Sequence, residues 1–246
     1  MPDDPKRRYP LLDSIRGLTL ISMIAYHAVW DMVYIFGADM PWYRTRAAFL
    51  WQQSICWTFI LLSGFCFPFG RKKLRRGLTV LAASVLISAV TVLFTPESAI
   101  RFGVLSLIGS AMLVMIPLEE PLGRILPAAG AAASFFLFLA TRWVNRGYLG
   151  FGSIVLPLPE SWYANLFTAW LGFPAAEFAS SDYFSLLPWL FLYVTGFFLC
   201  RHFLRKGWLE RLPALRCPPL EWLGRRSLLI YLLHQPVIYG ILTVIL

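Results

Sequence analysis

Residues 11–36 read LLDSIRGLTLISMIAYHAVWDMVYIF. The run is mostly apolar, and it is long enough to cross a bilayer, which requires about 20 residues of helix. It also carries four ionisable side chains, which hydrocarbon tolerates only where they pair or face a wet cavity. The run therefore predicts a spanning helix with its polar side chains turned into a helical bundle. These side chains are Asp13, Arg16, His27 and Asp31.

Six further apolar runs follow along the chain. The 246 residues are 58% hydrophobic and 14% charged, with a mean hydropathy of +0.64, which lies outside the range of soluble domains. We predict an all-α, polytopic membrane bundle of seven spans that forms a single domain over residues 1–246. The spans are predicted at residues 13–36, 48–70, 78–95, 102–118, 125–142, 184–201 and 227–246.

The basic residues predict the orientation of these spans. The formal net charge is +9, and seven spans place sixteen Lys and Arg residues on one side of the membrane and five on the other. Because cytoplasmic loops are enriched in Lys and Arg, the N-terminus is predicted to be cytoplasmic. The membrane is predicted to be the cell's inner membrane. Orientation accounts for the charge, so no nucleic-acid partner is predicted.

Several function classes have no support in the sequence. The four cysteines, at positions 56, 66, 200 and 217, have neither the pairing nor the spacing of a disulfide framework or a zinc site. Motifs of serine hydrolases, zinc metalloproteases and nucleotide-binding proteins are also missing from the sequence. We therefore predict no metal cofactor.

An external segment of about forty residues, 143–183, is too apolar and too rich in aromatics for a free linker. Two interpretations are open, and they can coexist. The segment lies on or re-enters the outer leaflet, as aromatic residues at an interface do, or it forms a lid over an outward-facing site.

The polar residues of the first span share one helical face about 100° wide. Asp13 and Arg16 are spaced i, i+3, so they can form an ion pair near the cytoplasmic end. Alternatively, the Arg16 guanidinium contacts an anionic group such as a phosphate.

His27 and Asp31 are spaced i, i+4. With this spacing a carboxylate can hold one imidazole nitrogen and leave the other free as a general base. The alternative is a buried, hydrogen-bonded histidine with Asp31 at the membrane interface.

The last span has a second polar face. Ser227, Tyr231 and His234 follow helical spacing, and Pro236 removes a backbone hydrogen bond just beyond the histidine. Either His234 lines a wet cavity or it is satisfied by a neighbouring helix.

These motifs resemble a known family. Residues 9–31, with the order LDxxRG, Met, His and Trp-Asp, resemble the first-span signature of bacterial relatives of the heparan-α-glucosaminide N-acetyltransferase catalytic domain. Residues 223–236, LGRRSLLIYLLHQP, are also similar to the wider transmembrane acyltransferase group. Weaker likenesses occur at residues 101–109 and 182–189.

The resemblance implies transfer of an acyl group, expected to be acetyl, from cytoplasmic acetyl-CoA. The acceptor would be a hydroxyl or amine of an extracytoplasmic glycan or lipid-linked sugar. Membrane lipids are the other expected partners, and a homodimer is compatible with the sequence. Carried over to this chain, the resemblance implies that His27 is the base, with His234 as a second candidate, and that Asp31 orients it. The residues expected to bind acyl-CoA are Asp13, Arg16, Ser227, Tyr231 and His234. Those expected to bind the acceptor are Trp30, Gln53 and Asp182.

Some of these residues have structural alternatives, and the chain departs from the family in one respect. Gln53 also suits interhelical hydrogen bonding, and Asp182 suits the membrane interface. The animal lysosomal member carries an amide at the position of His27 and its essential histidine in the following external loop, where this chain has none. Other readings therefore stay open: a different transfer reaction, a proton-coupled transporter, or a non-catalytic membrane subunit.

Overall fold

A computed structural model describes residues 9–211 and 216–246. Within this part of the chain, long helices alternate with short connections, and one small hairpin lies in the segment after the fifth helix. The helices are α1 (Pro10–Tyr34), α2 (Arg46–Cys66), α3 (Lys73–Phe94), α4 (Val104–Gly123), α5 (Pro127–Ala140), α6 (Leu166–Leu171), α7 (Leu186–Arg205), α8 (Pro218–Arg225) and α9 (Ser227–Ile245), and the strands are β1 (Tyr148–Phe151) and β2 (Ile154–Pro157).

Each predicted apolar run forms a helix, with ends that differ from the prediction by at most five residues. Six of these helices are long and apolar enough to cross a membrane. The chain is therefore an all-α, multi-pass membrane protein. Helix α1 has 25 residues and is long enough as well, but its polar side chains lower its hydropathy. The seventh span and the cytoplasmic N-terminus stay predictions.

The chain divides into two compact units. The first combines Met1–Leu62 with Leu209–Leu246, and the second is Ser63–Trp208. The first unit is thus built from two distant stretches of sequence, with the whole second unit between them.

In the first unit, α1 packs against α8 and α9. Two glycines permit the close approach of α1 and α8: a Cβ atom on Gly17 would lie 2.0 Å from the carbonyl oxygen of Leu220, and one on Gly224 would lie 2.0 Å from that of Asp13. On α2, the Trp51 indole N–H donates to Ser22 Oγ of α1 at 2.8 Å. The core that these contacts enclose contains Leu20, Met23 and Ile55.

In the second unit, α3 packs on α4 and α5 packs on α7. Glycines again allow the approach, since a Cβ on Gly130 of α5 would lie 2.4 Å from the Phe198 ring of α7. The same pair of helices shares a buried hydrogen bond between Ser134 Oγ and Thr195 Oγ1, which are 2.9 Å apart. Small and hydroxyl-bearing residues serve the same purpose in many membrane helix pairs.

The segment between α5 and α7 contains the hairpin, which the sequence did not predict. Strands β1 and β2 are antiparallel, and Phe151 pairs with Ile154 across the turn. Gly150 and Gly152 have positive φ angles of 106° and 63°, which glycine adopts without steric cost. Helix α6 follows, capped by the Asn165 side chain, which accepts from the backbone N–H groups of residues 167 and 168.

Candidate active site

Helices α1 and α9 bring two histidines together inside the first unit. The ring centroids of His27 and His234 lie 4.9 Å apart, with an angle of 59° between the planes. His234 is only 9% exposed, whereas His27 is half-buried. The predicted polar faces of the first and last spans therefore meet.

The hydrogen bond of His234 fixes its tautomer. Its Nδ1 lies 2.5 Å from the Tyr231 carbonyl oxygen, and because a carbonyl can only accept, Nδ1 carries the proton. In the neutral ring, Nε2 then holds a free lone pair. This atom is buried and has no hydrogen-bond partner among the described residues.

Asp31 is fully buried, and its partner differs from the predicted one. Its Oδ1 accepts a hydrogen bond from Gln235 Nε2 of α9 at 2.5 Å, and in the described chain no hydrogen bond joins it to His27. The predicted His27–Asp31 hydrogen bond is therefore wrong for this structure. The reason is that α9 supplies competing partners, an amide for the carboxylate and an imidazole for His27.

Three polar atoms of this contact lack partners within the described residues: Asp31 Oδ2, Gln235 Oε1 and His234 Nε2. Asp31 as a carboxylate and the Gln235 carbonyl can only accept hydrogen bonds, and so can Nε2 in the tautomer assigned above. Leaving a buried acceptor unsatisfied costs about 1–3 kcal/mol. The contact between α1 and α9 is therefore suited to a ligand group that brings hydrogen-bond donors.

The residues expected to bind acyl-CoA lie on α1 and α9. Arg16 Nη1 is 3.1 Å from Asp13 Oδ1, so the ion-pair interpretation is confirmed, and the phosphate contact stays a prediction. Tyr231 packs against the core of the first unit. Ser227 is the first residue of α9, where the predicted last span begins.

The residues expected to bind the acceptor are not brought to one place within either unit. Trp30 packs on a cluster that includes Tyr43, and Gln53 Oε1 accepts from the Trp57 indole at 3.2 Å. Asp182 belongs to the second unit, where its Oδ2 accepts from the backbone N–H of Val104 at 3.3 Å. That contact caps the start of α4.

Burial raises the pKa of Asp182 to about 6, and the hydrogen bond from the Val104 amide opposes this shift only in part. Burial disfavours the charged carboxylate, whereas an N–H donor favours it. The capping contact gives Asp182 a structural role, and acceptor binding by this residue stays a prediction.

The comparison with protein families identifies the chain. The model of the family described as "Heparan-alpha-glucosaminide N-acetyltransferase, catalytic" matches residues 8–236. The chain belongs to this family. The resemblance seen in the first and last spans is thereby confirmed. No curated protein and no solved structure matches the chain.

Membership in the heparan-α-glucosaminide N-acetyltransferase family, together with six apolar helices, indicates membrane acetyltransferase activity. Within the described residues, no three or more His, Cys, Asp or Glu side chains converge in a way that could hold a metal ion. Between α1 and α9, the helices bring together the histidine pair, Asp31 and Gln235.

Gln235 is the residue of this family member's candidate site that the sequence interpretation missed. A signal was present, because an amide inside an apolar span is costly unless another helix provides its partner. Gln235 also leaves Oε1 without a described partner, so it can contribute to ligand binding as well as to holding Asp31.

Proposed function

We propose that this protein transfers an acetyl group from cytoplasmic acetyl-CoA to a hydroxyl or amine of an extracytoplasmic glycan or lipid-linked sugar, in the cell's inner membrane. Support comes from the family and from the two histidines that face each other 4.9 Å apart between α1 and α9. The histidine pair is the observation on which the proposed mechanism depends.

In this proposal His27 is the general base, because its half-buried ring can reach an acceptor. The acceptor's N–H or O–H proton passes to the His27 imidazole while its nitrogen or oxygen bonds to the acyl carbon. The C–S bond of the thioester breaks, and the CoA thiolate leaves and takes up a proton. His234 takes the supporting role predicted for Asp31, since its Nε2 lone pair can hold or receive the proton beside His27.

The acyl donor would bind at the other end of α1. Gly224 of α8 packs against the backbone of Asp13, which brings the C-terminal end of α8 beside the Asp13–Arg16 pair. Arg225 is the last residue of this helix, Arg226 follows it, and both are exposed. A group of three guanidinium side chains suits the phosphates of CoA, because guanidinium binds phosphate through paired hydrogen bonds.

The hydrogen-bond acceptor atoms that lack a partner between α1 and α9 favour an amine over a hydroxyl as the group that receives the acetyl. Among the described residues, the buried Asp31 carboxylate has no basic ion-pair partner, and its Oδ2 has no hydrogen-bond donor. An ammonium group provides three donors and a compensating charge, whereas a hydroxyl provides one donor and no charge. The ammonium must lose one proton before attack, and the histidine pair can take it.

The test is acceptor-dependent release of CoA thiol by the purified full-length protein in lipid nanodiscs. Glucosamine and glucose are a matched pair of probes, since they differ by an amine in place of a hydroxyl. We expect release with glucosamine and little with glucose. We expect His27→Ala to lower the rate about 100-fold or more, the usual contribution of a general base, and His234→Ala to lower it less.

His202→Ala is the matched control, because His202 lies near the end of α7 and contacts Trp208 rather than the histidine pair. It should keep the wild-type rate. Full activity of His27→Ala would refute the proposed base. A protein that never consumes acetyl-CoA with either probe, yet carries a proton current across the membrane, would favour the transporter.

A further inference from the structure

The hairpin exposes an unusual amount of apolar surface. Residues 147–159 contain no charged side chain, and every residue of β2 is exposed. The exposed fractions reach 75% at Ile154 and 62% at Leu156. A contiguous apolar patch of this kind on a water-facing loop would be a liability, so it indicates a non-aqueous neighbour.

This surface continues the outer surface of a membrane helix. Strand β1 packs on α5, and the Phe151 ring meets the Phe136 ring edge-on, with the centroids 6.5 Å apart. Phe136 is 59% exposed and lies within a segment that is long and apolar enough to span the bilayer. The hairpin therefore extends a face that already contacts lipid.

The chain that leads into the hairpin has the side chains of a membrane interface. The Arg146 guanidinium lies 4.5 Å from the centre of the Trp143 ring, and Trp143 stacks on Tyr148 with centroids 6.4 Å apart. Tryptophan and tyrosine concentrate at the headgroup level, and arginine extends its charge toward water there. These residues place the base of the hairpin at the headgroups.

We propose that the hairpin tip, residues 151–156, inserts into the leaflet at which α5 ends, which the predicted topology makes the outer one. Successive side chains of a strand point to opposite faces, and both faces of β2 are exposed. A protein partner would cover one face, whereas the lipid interface can take up side chains from both.

The insertion is shallow. One edge of β2 pairs with β1, and the other edge presents backbone N–H and C=O groups that hydrocarbon cannot satisfy. The strand backbone therefore stays in the hydrated glycerol region, and the side chains of Phe151, Ile154 and Leu156 reach the first methylenes of the lipid tails.

Site-directed fluorescence tests this placement. Ser153→Cys in the hairpin turn is labelled with an environment-sensitive nitrobenzoxadiazole dye in the full-length protein, reconstituted in phosphatidylcholine nanodiscs. Label on the wild-type cysteines is subtracted as a blank. Ser161→Cys is the matched control, since Ser161 is an exposed serine outside the hairpin. Val155→Cys, on β2, repeats the test at a second hairpin position.

We expect lipids with nitroxide at acyl carbon 5 to quench the hairpin label at least twofold more than lipids with nitroxide at carbon 12. Aqueous iodide should quench the control label more than the hairpin label. Strong iodide quenching at both hairpin positions would overturn the proposal, and so would maximal quenching at carbon 12. Shielding from every quencher only when two chains share a nanodisc would also overturn it, in favour of a second copy as the partner.

Discussion

Replacing Gly224 with alanine should weaken the packing of α8 on α1 without changing any polar group. The new Cβ would lie 2.0 Å from the carbonyl oxygen of Asp13 and 2.8 Å from its carbonyl carbon. Ordinary van der Waals contact begins near 3.4 Å. The clashing atoms belong to the backbone of Asp13, so they cannot move away by a side-chain rotation. The two helices would have to separate locally by about 1.4 Å.

The cost can be estimated from the contacts that are lost. A gap of 0.5–1 Å between two packed surfaces loses about a quarter to a half of the dispersion energy of each contact. Inserting an extra methyl group into a well-packed core lowers stability by about 1–3 kcal/mol. Because the obstacle is backbone, we expect a free energy of unfolding lower by about 3 kcal/mol. For a chain of this length this corresponds to a fall in Tm of roughly 6–12 °C.

Thermal unfolding in detergent, followed by tryptophan fluorescence, measures this change. Gly240→Ala is the control, because nothing lies within 4 Å of a Cβ placed on Gly240 of α9, and alanine is the better helix former by about 1 kcal/mol. Its Tm should stay the same or rise. If Gly224→Ala and Gly240→Ala gave the same Tm, the close approach of α1 and α8 would be refuted.

Two further experiments test the second unit. Burial raises the pKa of Asp182 to about 6 from 3.8, so the folded state holds its proton more tightly than the unfolded chain does. The stability that this carboxyl contributes is therefore present below about pH 4 and is lost as the pH rises through about 6. The variant Asp182→Asn should remove this part of the pH dependence of Tm. If Tm changed with pH in the variant as it does in the wild type, the buried position of this carboxyl would be contradicted. For Ser134 and Thr195, 2.9 Å apart, a double-mutant cycle with Ser134→Ala and Thr195→Val should give a coupling of about 0.6 kcal/mol, and a value near zero would show that the hydrogen bond contributes nothing.

Most of the helical architecture could be predicted because the bilayer imposes one simple requirement, a long apolar run for each span. The hairpin was not predicted, because its strands are only four residues long. Its turn depends on the positive φ angles of Gly150 and Gly152, and the sequence alone does not show which φ a glycine adopts. Helix α8 also was not predicted, because residues 218–225 are too few for a span; the backbone of Arg226, with φ −105° and ψ 18°, separates this helix from α9.

The candidate site was predicted only in part. His27 and His234 could be predicted as candidate site residues because hydrocarbon penalises unpaired polar groups. This penalty does not depend on how the helices pack. The partner of Asp31 could not be predicted, because helical spacing describes one helix and cannot say which residue of another helix faces it. The spacing on α1 predicted His27 as the partner of Asp31, whereas the hydrogen bond comes from Gln235 of α9.

The discontinuity of the first unit also bears on biosynthesis. Asp31 and Gln235 are 204 positions apart, and the whole second unit is translated between them. In the predicted seven-span topology, a ribosome that has released α1 into the membrane must therefore still deliver every helix from α2 to α8 before α9 arrives. Until then, this topology places Asp31 and His27 in the bilayer without Gln235 and His234, so their polar groups carry the full cost that hydrocarbon imposes on them.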